Sequence, residues 1–418
     1  MEKFDIAVIG GGFSGVAAAI SAARLGKKVI LCEQSGALGG AMNNCLVYPF
    51  MDYWTLSEDK TEKKYLSAGL FKEMLVELKN AGGYITETRY NPDIFKITLD
   101  RMTAAAGVTV LFHAKLFEVK TENASVKSAV FAVKNGTVEI AADFFVDATG
   151  DGDLCAFAGC EMQLGREEDN LCQPMTTCFR LSGIDLEKFK LEKPQMQELY
   201  KEYQQQGKIT NPRENILTFY GIGEDVVHFN TTRVVKLNPT NPFEVSKAEA
   251  IAREQILELL NFLRENFSSC KKAVLVSSAA DIGVRESRML KGMHILTAKE
   301  IMDCTKFTDG IALGNYDIDI HNPEGAGTSH YYFPAGQYYR IPYASLVPNE
   351  FNNLLTCGRC ISATHEAQAS IRIMPICATT GEAAGTACAL ALDTNTDNKT
   401  IDVNLLRDTL RNNGAAVD

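Results

Sequence analysis

Apolar residues dominate positions 4–9, Phe4-Asp5-Ile6-Ala7-Val8-Ile9, and the run stops abruptly at Gly10-Gly11-Gly12. A run this short and this rich in branched side chains predicts a buried strand. Small and apolar residues then continue from Val16 to Leu25 and end at Gly26, which predicts a helix closed by glycine. A second apolar run, Lys28-Val29-Ile30-Leu31-Cys32, stops at Glu33 and predicts the next strand. Residues 61–83 carry Tyr65, Leu66, Leu70, Phe71, Met74, Leu75 and Leu78 at helical spacing up to Gly82-Gly83. Asn91-Pro92-Asp93 opens another helix that runs to Ala106-Gly107, since proline loses nothing in a first turn. Val108–Phe112 reads as a strand. Leu116–Lys120, Ser128–Lys134 and Val138–Ala142 alternate as a small antiparallel meander. A further strand, Asp143–Asp147, ends in Ala148-Thr149-Gly150 and the acidic turn Asp151-Gly152-Asp153.

The pattern changes character between about residue 160 and residue 345, with fewer glycine turns, more charge, and clustered aromatics and prolines. Segments 185–206 and 246–266 have the periodicity of amphipathic helices, and Ile216–Tyr220 and Asp225–Asn230 alternate as strands between them. The last third returns to the opening style. Asn353–Arg359 is a strand ending at glycine, and Pro375 sits near the start of a small-residue helix, Ile376–Leu392, with Gly381 and Gly385 on one face. The expected organisation is therefore one discontinuous domain, residues 1–160 and 346–418, interrupted by an inserted domain, residues 161–345.

Strand, glycine turn, helix, strand and acid together describe a βαβ unit for a dinucleotide. Gly10 allows the sharp turn, Gly12 removes a side chain where a pyrophosphate approaches the backbone, and Gly15 lets helix and sheet pack closely. Free N–H groups at the helix start face the phosphates, and Glu33 stands where an acid accepts a ribose hydroxyl. Gly39-Gly40 is a second place where the chain can pass close to a large ligand.

Composition adds bounds to this picture. The 418 residues exceed one ordinary core, and 46% hydrophobic with 22% charged residues is the balance of a soluble globular protein. A net charge of −10 argues against a broad nucleic-acid surface. No apolar run reaches the roughly eighteen residues that span a bilayer, and no export signal precedes the first strand, so a cytoplasmic location is expected. Twelve cysteines are scattered rather than spaced as a disulfide framework, which favours reduced thiols. Cys357-Gly358-Arg359-Cys360 has no second pair at metal spacing, so no metal site is expected.

Four stretches taken together resemble the FAD-dependent oxidoreductases of the glutathione-reductase-type fold, akin to the flavoprotein subunits of fumarate reductase and succinate dehydrogenase. They are Gly10 to Glu33, Gly39-Gly40, Asp147 to Asp153, and Cys357-Gly358-Arg359 through Arg372-Ile373-Met374-Pro375 to Gly385. The resemblance frames about half the chain. It implies an α/β fold, an FAD-binding Rossmann-like domain of parallel sheet plus antiparallel meander, with an inserted α+β substrate domain. It also implies that Gly10, Gly12, Gly15, Glu33, Gly39, Gly40, Gly150 and Gly358 approach FAD, with Phe13, Ser14, Gln34, Ala41, Ala148, Thr149, Asp153 and Arg359 beside them. By the same resemblance Leu116 lies near adenine, and Ile373 and Met374 near the flavin ring. The chain departs from relatives in three ways. No second GxGxxG appears, which removes a separate NAD(P)H domain. No histidine lies in the glycine-doublet loop, which implies non-covalent FAD. The insert does not reproduce a fumarate-binding pattern.

Candidate chemistry gathers in the insert. Ala280–Arg288 is its densest polar cluster and is expected to precede a helix. Its likeness to a Gly-x-Arg-Glu-Ser-Arg stretch in relatives places Arg285 near flavin or substrate, while a salt-bridged surface segment is the plainer reading. His228 and Arg233 suit a base beside an anion-binding guanidinium, or a satisfied structural histidine. His330 lies in the glycine-led aromatic loop 325–332, a cover for the site or an ordinary surface loop. Cys45 is a thiol facing the flavin or small apolar packing, and His365-Glu366 is a supporting pair beside the cofactor. Three functions are compatible. The first is hydride transfer between a small polar organic substrate and FAD, with an unidentified second electron donor or acceptor. The second is an electron-carrying FAD subunit that works with a partner protein. The third is flavin-dependent RNA modification, which the acidic charge disfavours.

Overall fold

Five parallel strands of the central sheet end in a single row. The computed structural model describes residues 2–418. Across the sheet the order is Thr109–Leu111, Val29–Cys32, Glu2–Ile9, Gly136–Asp147 and Leu354–Thr356, and the register sets Leu111 beside Cys32, Cys32 beside Ile9, Ile9 beside Asp147 and Asp147 beside Thr356. Ile6, Val8, Leu31, Val146 and Leu355 are fully buried, as expected of parallel strands covered on both faces. The glycine turns at Gly10, Gly150 and Gly358 each begin within a few residues of that row. This is the carboxyl edge at which α/β sheets bind ligands.

The meander is present as Lys115–Glu122, Ser125–Val133 and Gly136–Asp147. The two strands expected at Val138–Ala142 and Asp143–Asp147 are one continuous strand. Its first half pairs with Ser125–Val133, its end with Leu354–Thr356, and Ile140 to Asp147 pair with Glu2–Ile9 on the other edge. One long strand thus joins the meander to the nucleotide sheet.

Helices Phe13–Arg24 and Met374–Thr394 cross with their backbones in contact. Cβ atoms built on Gly381 and Gly385 would overlap the carbonyl oxygens of Ser14 and Ala18, so only glycine fits at either place. From the next position Glu382 reaches across, and its Oε2 accepts the Leu70 N–H at 3.0 Å, capping helix Leu70–Asn80 in place of a local side chain. That helix is shorter than the one expected over 61–83. Residues Lys63–Tyr65 instead pair with Trp54–Leu56 as a hairpin, because Glu62-Lys63-Lys64 offers no apolar face before Leu66. Asn91 caps helix Pro92–Ala105 as its sequence requires.

In the insert, four antiparallel strands run in the order Thr218–Phe219, Val227–Phe229, Phe179–Ser182 and Val274–Ser278. Helices Leu186–Gln205 and Pro242–Asn266 bury Phe179, Leu181, Val227 and Phe229 on one face of this sheet, with Phe189, Tyr200, Leu259 and Leu263. This self-contained core lies within residues 179–273, whereas Leu296, Ile311, Tyr339 and Leu346 join the core of the first helix. A second buried cluster within the insert gathers Met175, Val234, Ala248, Ala252 and Ile282. No helix follows Ala280–Arg288; the segment leads into strand Arg288–Leu290, which pairs with Met162–Leu164. Among the described residues, no helix is long and apolar enough to cross a membrane.

Candidate active site

At the carboxyl edge the first turn is built from main chain. Gly10 has φ 102°, its N–H donates to the Cys32 carbonyl, and the Ala148 N–H donates to the Ile9 carbonyl. Glu33 Oε2 accepts the Gly11 N–H at 2.6 Å and Oε1 accepts the Ser35 N–H at 2.7 Å, which fixes the carboxylate at the mouth of the glycine turn. No side chain caps helix Phe13–Arg24. The Phe13 ring turns inward against Phe50, Phe71 and Phe95, so that residue offers the edge only its backbone. Gln34 and Ala41 are exposed, and Leu116 lies one strand beyond, after the Ala114 N–H that donates to the Glu33 carbonyl.

The residues fit an FAD. A Cβ on Gly12 would meet nothing nearer than the Gly40 Cα at 3.9 Å, so this glycine is not required by protein packing and keeps a cradle open. Gly40 faces it from the glycine doublet, and the Gly39 N–H donates to the Gly11 carbonyl at 2.8 Å. Asn43 Oδ1, just beyond, is buried without a hydrogen-bond partner among the described residues. Ile373 precedes a helix whose start carries Met374 and Pro375 and no side-chain cap, leaving a second positive helix end free. Gly358 (φ 80°) is pinned by the Thr380 hydroxyl, which accepts its N–H at 3.0 Å.

Acidic residues after the fourth strand order the next turn. Asp147 is fully buried and accepts the Thr149 N–H, the Thr149 hydroxyl and the Cys155 N–H at 2.7–3.0 Å. Burial nevertheless lifts its pKa above the usual carboxylate range. Asp153 is raised to about 6 by burial and by Asp151 and Asp147, with Arg288 and Arg359 pulling the other way. Arg359 pairs with Asp151 at 2.7 Å and also donates to the Val284 carbonyl, while the Ser287 hydroxyl donates to Asp151. Ala280–Arg288 is thereby laced onto the cofactor turn rather than spread on the surface.

Arg285 reaches the other way, donating to the Pro174 carbonyl at 2.6 Å, to the Thr176 hydroxyl and to Asn230 Oδ1. Burial lowers its pKa to about 9, aided by Arg213, Arg372 and Arg233 nearby. Both terminal nitrogens of Arg233 are engaged, and its Nε is without a partner among the described residues. Arg233 donates to the Gly325 and Gly327 carbonyls, to Thr328 and to His321 Nδ1, and pairs with Glu214 at 3.1 Å. Since a guanidinium only donates, His321 Nδ1 accepts and its proton sits on Nε2, 3.3 Å from Asp319. Burial pushes Asp319 up, but His321 and Arg372 more than offset it and hold the acid well below its ordinary range. His365 pairs at 2.7 Å with the fully buried Glu286, whose other oxygen accepts the Gln173 N–H. Glu366 faces solvent, so the pair expected at His365-Glu366 is His365–Glu286 instead.

His228 projects from the insert sheet on the face away from its helices. It stands opposite Arg180 on one neighbouring strand and Phe219 on the other, with Ser277 beyond Arg180. Tyr48, which follows the glycine doublet, lies against the imidazole with ring centres 5.4 Å apart. Burial and the adjacent Arg180 lower the His228 pKa to about 3, so the ring is neutral. Both its nitrogens, Nε and Nη2 of Arg180, and the Ser277 hydroxyl are buried without hydrogen-bond partners among the described residues. Cys45 borders this region. Its thiol points at the Ile282 carbonyl, 3.7 Å away, and burial pushes its pKa to about 12, so it stays protonated. His330 lies apart on the exposed strand Thr328–Tyr331, bonded to Asp317 and stacked on Tyr332.

His228 thus packs on the segment that follows the glycine doublet, in which Cys45 also lies, Arg285 and Arg233 sit in a basic cluster with Arg213 and Arg372, and His330 is on an exposed strand. Sequence reasoning missed Arg180, Arg213, Asp319, His321 and Tyr48. The available signal for Arg180 was a lone charge inside the apolar run Cys178-Phe179-Arg180-Leu181.

A parallel sheet whose carboxyl edge is lined by glycine turns, an acid and two uncapped helix ends is the nucleotide domain of a flavoprotein. The chain belongs to the FAD dependent oxidoreductase family, whose profile matches residues 5–410, and FAD is its cofactor. No curated protein matches the sequence. Similar solved structures include a geranylgeranyl bacteriochlorophyll reductase-like protein from Thermoplasma acidophilum, 14% identical over 99% of this chain and 85% of that one with a TM-score of 0.47. A flavin-dependent brominase is 12% identical over 98% and 84%, with a TM-score of 0.49. A p-nitrophenol 4-monooxygenase from Pseudomonas putida is 9% identical over 98% and 84%, with a TM-score of 0.46.

Proposed function

We propose that this enzyme transfers a hydride between a small polar organic substrate and non-covalently held FAD, the substrate lying against the Arg180–His228 face of the insert. One observation carries the reading. A buried sheet face abuts the segment that follows the cofactor's glycine doublet, and polar atoms of its Arg180, His228 and Ser277 have no partners among the described residues. A buried polar group without a partner costs about 1–3 kcal/mol, so a face bearing several is a place for a ligand.

Bound FAD supplies the two-electron acceptor or donor. The protein's part is to hold and to move protons. Neutral His228 offers a lone pair for the proton released when the substrate is oxidised, or returns it in the reverse direction. Tyr48 and Phe219 flank the imidazole and exclude water around it. A second donor or acceptor, small molecule or protein, closes the cycle, and a cytoplasmic setting accords with the twelve unpaired cysteines.

An anaerobic screen tests this. Purified protein should be yellow, and at least one small organic donor should bleach its absorbance without any partner protein. Flavin that no small molecule bleaches, but that a partner protein reduces, would overturn the reading in favour of an electron-carrying subunit.

A further inference from the structure

The basic residues of this region are not alike. Arg233 is fully buried with both terminal nitrogens engaged, by two carbonyls, a hydroxyl, an imidazole and Glu214, and only its Nε is without a partner among the described residues. Arg285 is likewise engaged, by a carbonyl, a hydroxyl and an amide oxygen. Arg180 is 9% exposed, yet its Nε and Nη2 have no partner among the described residues. The groups that surround it are Tyr48, Tyr90, Cys178, His228 and Ser277, all neutral, and the one carboxylate that acts on it, Asp93, is exposed and makes no hydrogen bond or ion pair with it. Taking a cation out of water without a counter-charge costs several kcal/mol. Arginine does not escape that cost by losing its proton at ordinary pH. A sheet that keeps such a residue keeps it for an anion.

Which anion follows from the free atoms. Nε and Nη2 form the side edge of the guanidinium, whose two parallel N–H bonds match the two oxygens of one carboxylate. His228, directly opposite on the next strand, is a neutral donor and acceptor within the same face, and Ser277 is a hydroxyl on the other side. One cation among neutral donors balances a singly charged group; it does not balance a phosphate dianion. Phe219 and Tyr48 supply apolar surface for a carbon skeleton beside it.

We propose that the substrate is a small organic acid whose carboxylate docks side-on against Arg180, with His228 and Ser277 completing its hydrogen bonds. This rests on the functional reading above, that the substrate lies on this face. It also moves the anion-binding role from Arg233, which the sequence suggested, to Arg180.

Thermal melting of the FAD-loaded protein, followed by flavin fluorescence, tests it without turnover. The probes are succinate and benzoate, each beside its neutral amide. At least one acid should raise the melting temperature of the wild type, and neither amide should. Arg180→Met should retain FAD and its spectrum and lose the acid-dependent shift, with binding weakened about tenfold or more, the loss expected of a charge-assisted bidentate pair. Arg180→Lys, with the charge but not the fork, should recover part of the shift. An acid-dependent shift that is the same in Arg180→Met as in the wild type overturns the proposal, as does a wild type that neither acid stabilises. If a neutral donor bleaches the flavin and the acids do nothing, the hydride-transfer reading stands and this inference falls. If the acids bind through Arg180 and no small molecule bleaches the flavin, this inference stands and the hydride-transfer reading falls.

Discussion

Gly381 stands directly against the backbone of Ser14, and a single added methyl group there would overlap the Ser14 carbonyl oxygen. The obstacle is main chain, which cannot rotate away, and Ser14 belongs to the first turn of the helix that follows the Gly10–Gly12 turn. Gly381→Ala should therefore lower stability by about 1–3 kcal/mol, the usual cost of overpacking, and release FAD more readily. Melting temperature and flavin content after gel filtration check both. A variant as stable and as yellow as the wild type would show that the helices do not need this close approach.

One position along that helix, Glu382 is 2% exposed, and its pKa is lifted to about 7 by burial, opposed by the Leu70 N–H and aided by Glu73. The folded protein thus holds a proton there that the unfolded chain gives up above about 4.5. Its contribution to stability is present below pH 4.5 and is lost as pH rises toward and through 7. Glu382→Gln keeps the acceptor for Leu70 without the titration. Relative to wild type, it should gain on the order of 2–3 kcal/mol between pH 4.5 and pH 8, read from denaturant midpoints across that range. Parallel curves for the two proteins would rule this out.

Arg180 predicts an unusual sign. Met in its place keeps the apolar stem and removes a buried cation whose Nε and Nη2 have no partner among the described residues. Ligand-free Arg180→Met should accordingly be more stable than wild type by about 1–3 kcal/mol, visible as a higher melting temperature. Destabilisation would mean that the guanidinium serves the fold rather than a ligand.

Glu33 is tied by the Gly11 and Ser35 N–H groups, and what remains of its carboxylate faces the glycine turn. Glu33→Gln should weaken FAD binding roughly tenfold, as expected for one hydrogen bond to a charged group. Titration of deflavinated protein by FAD fluorescence quenching measures it, and an unchanged dissociation constant would exclude a role for the charge.

What could be read in the sequence was what is contiguous. Gly10 to Glu33, Asp147 to Asp153 and Cys357 to Gly358 each carry their own turn chemistry, so they were visible without knowing how the strands pair. Arg180 becomes meaningful only when the register sets it opposite His228, and that pairing joins segments far apart in the chain. Its strand alternates, so the charge reads as solvent-facing until Tyr48 covers that face. Arg233 drew attention because it lies close to His228 in sequence. Loop 325–328, which occupies it, is fixed by tertiary contacts that no local pattern announces. The overlong helix expected at 61–83 has the same origin: Tyr65 and Leu66 matched a helical period, but they belong to a hairpin and its exit.

The seam between Phe13–Arg24 and Met374–Thr394 also sets an order of events during synthesis. Ser21 and its partner Glu382 lie 361 positions apart, so the ribosome releases the cofactor turn long before the helix that braces it. Until then the opening βαβ unit shows a strip of alanine and valine to the cell, a surface for chaperones to guard. FAD loading is thereby a late step. Released chains that stop before Gly381 should carry no flavin, and the full-length chain should acquire it.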